Sequence, residues 1–376
     1  MKKPRDVIQH IKEEDRDSYS DDSLFRISSW GADLSFRELI QRYDDNELVK
    51  PELQRKYVWD KTEASRFIDS LLLGLPVPSI FLAQMPDEKM LIIDGYQRIM
   101  TVHDYVKGIF SGDGKVFRLS RSERINQSWR GKAFSELGDT EQRRVRNTTI
   151  HAIVFVQRHP ADDDTSLFQV FERINTSGRT LLPQEIRNCV SQGSLNNLLF
   201  ELNNIPQWRE LFGLSEPDAR MRDMEYILRF LALSSELFRQ DNRERISLKR
   251  FLDLFMKMNK DAPEQVLHEF RDRFSRCVDA IHRAFGASAF YNISPTDPDK
   301  LVPKFRPTIF DSMTIGTDYA LMQGKVDLQE DPETRRRELL RDEEYHIAIT
   351  KETMRRNSIN TRIRKVCHYI YGMDYE

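Results

Sequence analysis

The chain has 376 residues, enough to bury a substantial core in one domain with a helical extension or in two domains. Its 58 Lys and Arg stand against 60 Asp and Glu, a formal net charge of −2, so there is no global cationic field and any nucleic-acid binding must come from local patches. A hydrophobic fraction of 39% without a signal core or a membrane-length apolar run, and three scattered cysteines (Cys189, Cys277, Cys367) without C-x-x-C spacing, point away from membranes, disulfide frameworks and cysteine-bound zinc, and toward a reducing cytoplasm.

Residues 1–30 mix acids, bases and serines and are expected to be a flexible lead-in. Ser35-Phe-Arg-Glu38 has capping-box spacing and opens a short helix to about Tyr43. Next comes Pro51-Glu-Leu-Gln-Arg-Lys-Tyr-Val-Trp59, a polar extended stretch that carries Gln54 and Arg55. Asp60 caps the following helix, Glu63 sits at the capping-box position, and Gly74 ends it. Leu75-Pro-Val-Pro78 then forces an extended exit into a strand from Ser79 to Ala83, and a turn at Pro86 to Lys89 returns the chain into a second strand.

That second strand, Leu91-Ile-Ile-Asp94, meets Gly95 and a helix from Tyr96 to Lys107 whose Ile99, Val102 and Val106 recur at helical spacing. A strand that feeds a helix start is a ready anion site, because the first-turn N–H groups have no intrahelical acceptor. Gln97 and Arg98 add neutral and charged donors there, and Asp94 supplies a carboxylate for a metal, a water or a sugar hydroxyl. Taken alone, the same five residues also describe a turn with a surface ion pair.

Farther on, Ser111-Gly-Asp-Gly-Lys115 lacks the Walker spacing and reads as a tight turn. Basic residues are dense from Arg118 to Arg146, with Trp129 and Phe134 among them, which describes either a nucleic-acid track with a stacking platform or a solvated face. Residues 149–157 alternate as a strand, with His151 structural. A helix from Thr165 stops at Asn175-Thr-Ser-Gly178, and Leu181-Leu-Pro183 opens another with Glu185 and Arg187. Beyond about residue 190 the pattern is almost wholly helical: 195–202, 208–212, 221–238, 248–258, 266–285, 309–322, 334–340 and 351–371. Polar positions between Asp223 and Arg229 read as a solvated face or as groups that close over the first domain. The last helix carries Lys351, Arg355, Arg356, Arg362, Arg364 and Lys365 against Glu352 alone, which suits either a phosphate-tracking DNA surface or pairing with acids such as those at 342–344.

Four ordered motifs, Gln54-Arg-x-Tyr-Val-Trp59, Ser70-Leu-Leu-Leu-Gly-Leu-Pro-Val-Pro-Ser-Ile-Phe-Leu82, Ile93-Asp-Gly-Tyr-Gln-Arg98 and Phe171-Glu-Arg-Ile-Asn-Thr-Ser-Gly178, resemble the ParB/sulfiredoxin-like N-terminal domain of GmrSD-type, modification-dependent (type IV) restriction systems, over roughly the first half of the chain. The resemblance implies a nucleotide-binding, often NTP-hydrolysing, module of bacterial anti-phage defence. Its usual motif is Asp-Gly-Gln-Gln-Arg. Here Tyr96 stands at the first Gln, a departure that bears on hydrolysis and on the choice of base.

The expected fold class is therefore α+β: a small mixed sheet with flanking helices over 31–185, then a mostly α-helical domain over 186–376. The expected phosphate site comprises Gln54, Arg55, Gly95, Tyr96, Gln97, Arg98, Asn175 and Gly178, with Asp94, Gln97, Arg98 and Arg55 in catalytic roles and Mg2+ arriving with a nucleoside triphosphate (GTP, ATP or CTP) at Asp94. Expected partners are that nucleotide, DNA, a separate nuclease subunit and further copies of the chain. The alternatives are a non-enzymatic DNA-binding, modification-sensing protein and a direct metal-dependent nuclease. The histidines are isolated, without H-x-x-x-H spacing, and no HNH-type module or nucleophile elbow is present.

Overall fold

The structure is a computed structural model and describes residues 7–9, 11, 14, 26–49, 59–85, 87–159, 182–325 and 330–375. Two units divide the chain: Asp21–Val190, and Met1–Ser20 together with Ser191–Glu376.

In the first unit, β1 (Arg26–Ser35), β2 (Leu48–Val49), β3 (Ile80–Gln84), β4 (Met90–Asp94) and β7 (Thr149–His159) form a mixed sheet in the order β1-β7-β3-β4-β2. β3 and β4 pair antiparallel through a turn in which Met85 N–H donates to Lys89 O at 2.8 Å. β3 runs parallel to β7, and β2 parallel to β4. A short hairpin, β5 (Ile109–Phe110) with β6 (Lys115–Val116), turns through residues 111–114, where Gly114 N–H donates to Phe110 O at 2.8 Å. That segment is the tight turn its spacing describes.

One face of the sheet packs against α1 (Phe36–Asp44), α2 (Lys61–Leu73), α3 (Tyr96–Lys107) and α4 (Asp139–Asn147), burying Ile80, Leu82, Ile92, Ile150 and Val154 among them. The opposite face buries Ala83, Leu91, Ile93 and Phe155 under Ile186 of α5 (Pro183–Val190). Cover on both faces explains why Leu91-Ile-Ile93 is continuously apolar. β1 departs from the lead-in expected over residues 1–30. Its Arg26-Ile-Ser-Ser-Trp-Gly carries no alternation and is mostly exposed, and it is a strand because it runs along β7, with Asp33 opposite His151 and Leu34 opposite Ile150.

The second unit is helical: α6 (Ser194–Leu202), α7 (Pro206–Phe212), α8 (Arg222–Leu233), α9 (Glu236–Gln240), α10 (Leu248–Met258), α11 (Glu264–Phe285), α12 (Pro307–Met322), α13 (Pro332–Arg341), α14 (Glu343–Thr350) and α15 (Arg356–Val366), the last running into a π turn at Cys367–Tyr371. α12 is buried nearly all round and packs on α8, α11 and α15. Val7 to Gln9 belong here: Gln9 N–H donates to Phe305 O and Phe305 N–H to Val7 O, both at 2.8 Å, and Ile8 and Ile11 are buried. Cys277 and Cys367 are buried free thiols.

Two expected helices are broken. The run 221–238 stops after Leu233, where the Ser235 hydroxyl donates back to Ala232 O at 2.6 Å, a bond that competes with helix continuation. The run 351–371 begins only at Arg356. Its predecessors pair with another segment, Ile246 N–H donating to Met354 O at 3.0 Å and Arg356 N–H to Glu244 O at 2.9 Å.

Candidate functional site

β4 ends at Asp94, and Gly95 turns the chain into α3 with φ of 104°, in the left-handed region. A Cβ at Gly95 would lie 2.2 Å from Cγ2 of buried Ile80, so backbone angle and packing both demand glycine. The first intrahelical bond, Ile99 N–H to Gly95 O at 3.0 Å, closes over this turn. Arg98 lies back across it: its Nη2 donates to the Asp94 carboxylate and, at 3.2 Å, to Ser79 O at the entrance to β3. The Arg98 side chain is 16% exposed and that of Asp94 33%, and the buried Arg98 Nε has no hydrogen-bond partner.

The N-terminus of α2 comes to the same place. Asp60 accepts from Thr62 and Glu63 N–H groups at 2.7 and 2.8 Å, and Glu63 accepts from Asp60 N–H at 3.0 Å, so the capping box predicted from spacing forms in full. At α1 the Ser35 half of the motif forms, Glu38 N–H donating to Ser35 Oγ at 3.2 Å, while the Glu38 carboxylate turns to Arg42 at 3.0 Å. Just before the α2 cap, Trp59 N–H donates to Gln97 Oε1 at 3.4 Å. Gln97 therefore touches the end of the stretch that carries Gln54 and Arg55. Those two residues lie outside the described residues, as do Asn175 and Gly178.

Tyr96, the departure from the family motif, is buried at 5% exposure in the core of the unit, and its side chain hydrogen-bonds that of Tyr43. The Tyr43 hydroxyl is held above its ordinary pKa, chiefly by burial, with the bond to Tyr96 acting the other way. The expected phosphate-site position is thus a mostly buried one, while its neighbours Gln97 and Arg98 are half-buried.

Sequence reasoning overlooked how deep the polar residues of α5 lie. Gln184, Glu185, Arg187 and Asn188 are all buried. Glu185 accepts from Leu182 N–H at 2.5 Å and Arg187 Nη1 donates to Gln184 Oε1 at 3.2 Å. The available signal was four polar residues around a single apolar Ile186 in a segment that still reads as a helix.

Other candidates are redirected by burial. Trp129 and Phe134 belong to the core, with Trp129 Nε1 donating to Asp69 at 2.6 Å, so they form no stacking platform. Arg118 pairs with Glu136, and Arg144 donates to Leu72 O at 2.7 Å. Asp223 is buried on Arg209, and Arg229 on Asp311 and Glu14, so these groups form no solvated face and are spent within their own unit. In the C-terminal basic run Arg362 is 1% exposed and bonded to Asp311, which removes it from any DNA surface. Arg356 donates to the carbonyls of Asp241 and Arg239, Lys365 pairs with Asp342 and Glu344 at 2.8 Å each, and Arg355 lies near Glu244 and Glu352. Arg364 remains exposed. Among the described residues no three His, Cys, Asp or Glu side chains cluster as metal ligands, and no helix is long and apolar enough to cross a membrane.

Residues 36–191 match the model of the GmrSD restriction endonuclease N-terminal domain. No curated protein and no solved structure matches the chain.

Proposed function

We propose, from the match of residues 36–191 to the GmrSD restriction endonuclease N-terminal domain, that the elbow at residues 94–98 is the phosphate site of a nucleotide-binding, NTP-hydrolysing module of a bacterial anti-phage restriction system, acting in the cytoplasm with DNA and a separate nuclease subunit. The observation that carries the reading is Arg98: a guanidinium tied to Asp94 and to Ser79 O beside the first turn of α3, with Nε unspent. Fixing the fork in advance lowers the entropy cost of gripping a phosphate, and a helix N-terminus favours the same charge.

In this reading Arg98, joined by Arg55, neutralises charge as the terminal phosphate leaves, and Gln97 positions a water or a phosphate oxygen. Asp94 keeps the Arg98 fork in place. Gly95 makes the left-handed turn that aims the first-turn N–H groups at the phosphate, and Gln54, Asn175 and Gly178 complete the cradle. The contact of Trp59 with Gln97 supports the participation of Arg55, since four residues of chain span at most about 14 Å. Magnesium takes one or two carboxylates and otherwise waters and phosphate oxygens, a demand that Asp94 fits. Bound with the triphosphate, the ion would supply further neutralisation of the phosphate oxygens.

The test is thermal shift with ATP, GTP and CTP plus magnesium on the wild type and on Arg98→Ala, alongside phosphate release. Stabilisation by one nucleotide, absent in Arg98→Ala, is the expected result. Equal shifts in both proteins overturn the assignment. No nucleotide shift, combined with salt-steep binding to duplex DNA, gives the elbow to the nucleic-acid backbone instead, and metal-dependent nicking of plasmid by the chain alone makes it a nuclease.

A further inference from the structure

The helical unit encloses three arginines in one buried cluster. Arg229 donates from Nε and Nη2 to Asp311 at 2.8 and 2.6 Å, and from Nη1 and Nη2 to Glu14 at 2.7 and 2.9 Å. Arg362 Nη2 donates to Asp311 at 2.9 Å, with its other bonds going to the carbonyls of Thr353 and Ala348. Arg306 forms no ion pair among the described residues: Nη2 donates to Ile349 O at 2.8 Å, and burial lowers its pKa. Nε of Arg306 and Nε of Arg362 are both buried without a partner. Among the described residues, the carboxylates acting on the three guanidiniums are Asp311 and Glu14. Among the described residues, three positive groups thus face two negative ones, an excess of one positive charge.

The members differ in access. Asp311, Arg229 and Arg362 are almost completely enclosed, while the Glu14 side chain retains 12% exposure. Glu14 is also the member that comes from the opposite end of the chain, five residues beyond Gln9, whose N–H donates to Phe305 O. Of the two carboxylates, Glu14 is therefore the one nearer to solvent.

We infer that Arg229, Arg306 and Arg362 form a binding site for a phosphate monoester, which the Glu14 carboxylate occupies as a built-in competitor. Exchanging a carboxylate for the near-double charge of a phosphate monoester removes the excess positive charge, and the extra oxygens offer acceptors to the two unspent Nε groups. Arginine suits the task because it stays charged when buried and presents planar donors. The site lies in the helical unit and stands or falls separately from the elbow at residues 94–98.

The experiment uses the full chain. Thermal shift is recorded with inorganic phosphate against chloride at matched ionic strength, on the wild type, Glu14→Ala, and Glu14→Ala combined with Arg306→Met. Removing the competitor is expected to tighten phosphate binding at least tenfold, and removing Arg306 to cancel most of that gain. If Glu14→Ala is unfolded alone, recovery by phosphate and not by chloride is the expected result. Equal effects of the two anions, or a phosphate effect indifferent to Arg306, overturn the proposal. A 5′-phosphorylated oligonucleotide beside its unphosphorylated twin then assigns the source: preference for the former shows a nucleic-acid end, and equal binding of the two leaves free phosphate or a mononucleotide as the ligand.

Discussion

The two units each contain an arginine held by an aspartate, used in opposite ways. Asp94 and Arg98 sit at a chain corner, both partly exposed, with a backbone carbonyl sharing the guanidinium and Nε without a partner. Asp311 is fully enclosed, and one carboxylate serves both Arg229 and Arg362. A pair that water still reaches contributes less to folding and can exchange partners, whereas a buried carboxylate between two guanidiniums cannot be removed without stranding charge where water does not reach. The first arrangement suits recognition and the second holds helices together.

Substitutions can break or sharpen that contrast. The largest loss is expected at Asp311→Asn, where two buried guanidiniums lose their common partner. Urea denaturation should show about 3–5 kcal/mol of destabilisation, and a loss under 1 kcal/mol would equate the two pairs after all. Gly95→Ala comes next, with about 1–3 kcal/mol from the left-handed backbone alone and the overlap on Ile80 adding to it. Circular dichroism melts should place this variant well below Arg98→Ala. For Arg98→Ala itself, about 1 kcal/mol or less is expected in the same denaturation assay, because Asp94 can rehydrate. Its nucleotide binding, by contrast, should fall at least tenfold under the proposed function.

The smallest effect is a pH response at Asp342, which caps α14 and accepts from Lys365 of α15. Burial tends to raise the pKa of Asp342, but hydrogen bonds from Lys365, Tyr345 N–H and Tyr369 outweigh it and hold the carboxyl below its ordinary value of 3.8. A depressed folded-state pKa means that the stabilisation is complete above 3.8 and is lost as the pH falls through the folded value. Urea midpoints between pH 6 and pH 3 should therefore drop less in Asp342→Asn than in the wild type.

Much of the first unit was legible locally. Asp60 and Glu63 cap α2, Gly74 closes it with φ of 74°, Tyr96–Lys107 is the helix that Ile99, Val102 and Val106 describe, and Ile150, Ala152 and Val154 bury alternate positions of β7. These features depend on contacts within a few residues or on a period of burial. The site was legible as a motif: the chain corner, its glycine and its arginine could be named. That Arg98 reaches Ser79 O and that Gln97 meets Trp59 could not, since those partners are distant in sequence.

Taken by itself, the sequence settled element type wherever caps and apolar period agree, the α+β class, and, through ordered motifs, the likeness of residues 36–191 to the GmrSD N-terminal domain. Tertiary structure decided what one-dimensional pattern does not encode. β1 exists because β7 offers it a ladder, the run 351–371 is interrupted because its backbone bonds to residues 244–246, and Val7 to Gln9 join the helical unit through Phe305. It also decided the fate of charges: Arg362 and Arg364 are two residues apart on one helix, yet the first is enclosed on Asp311 and the second is exposed. The physical reason is that solvation and the nearest countercharge set what an ionised side chain can do, and both are properties of the packed fold.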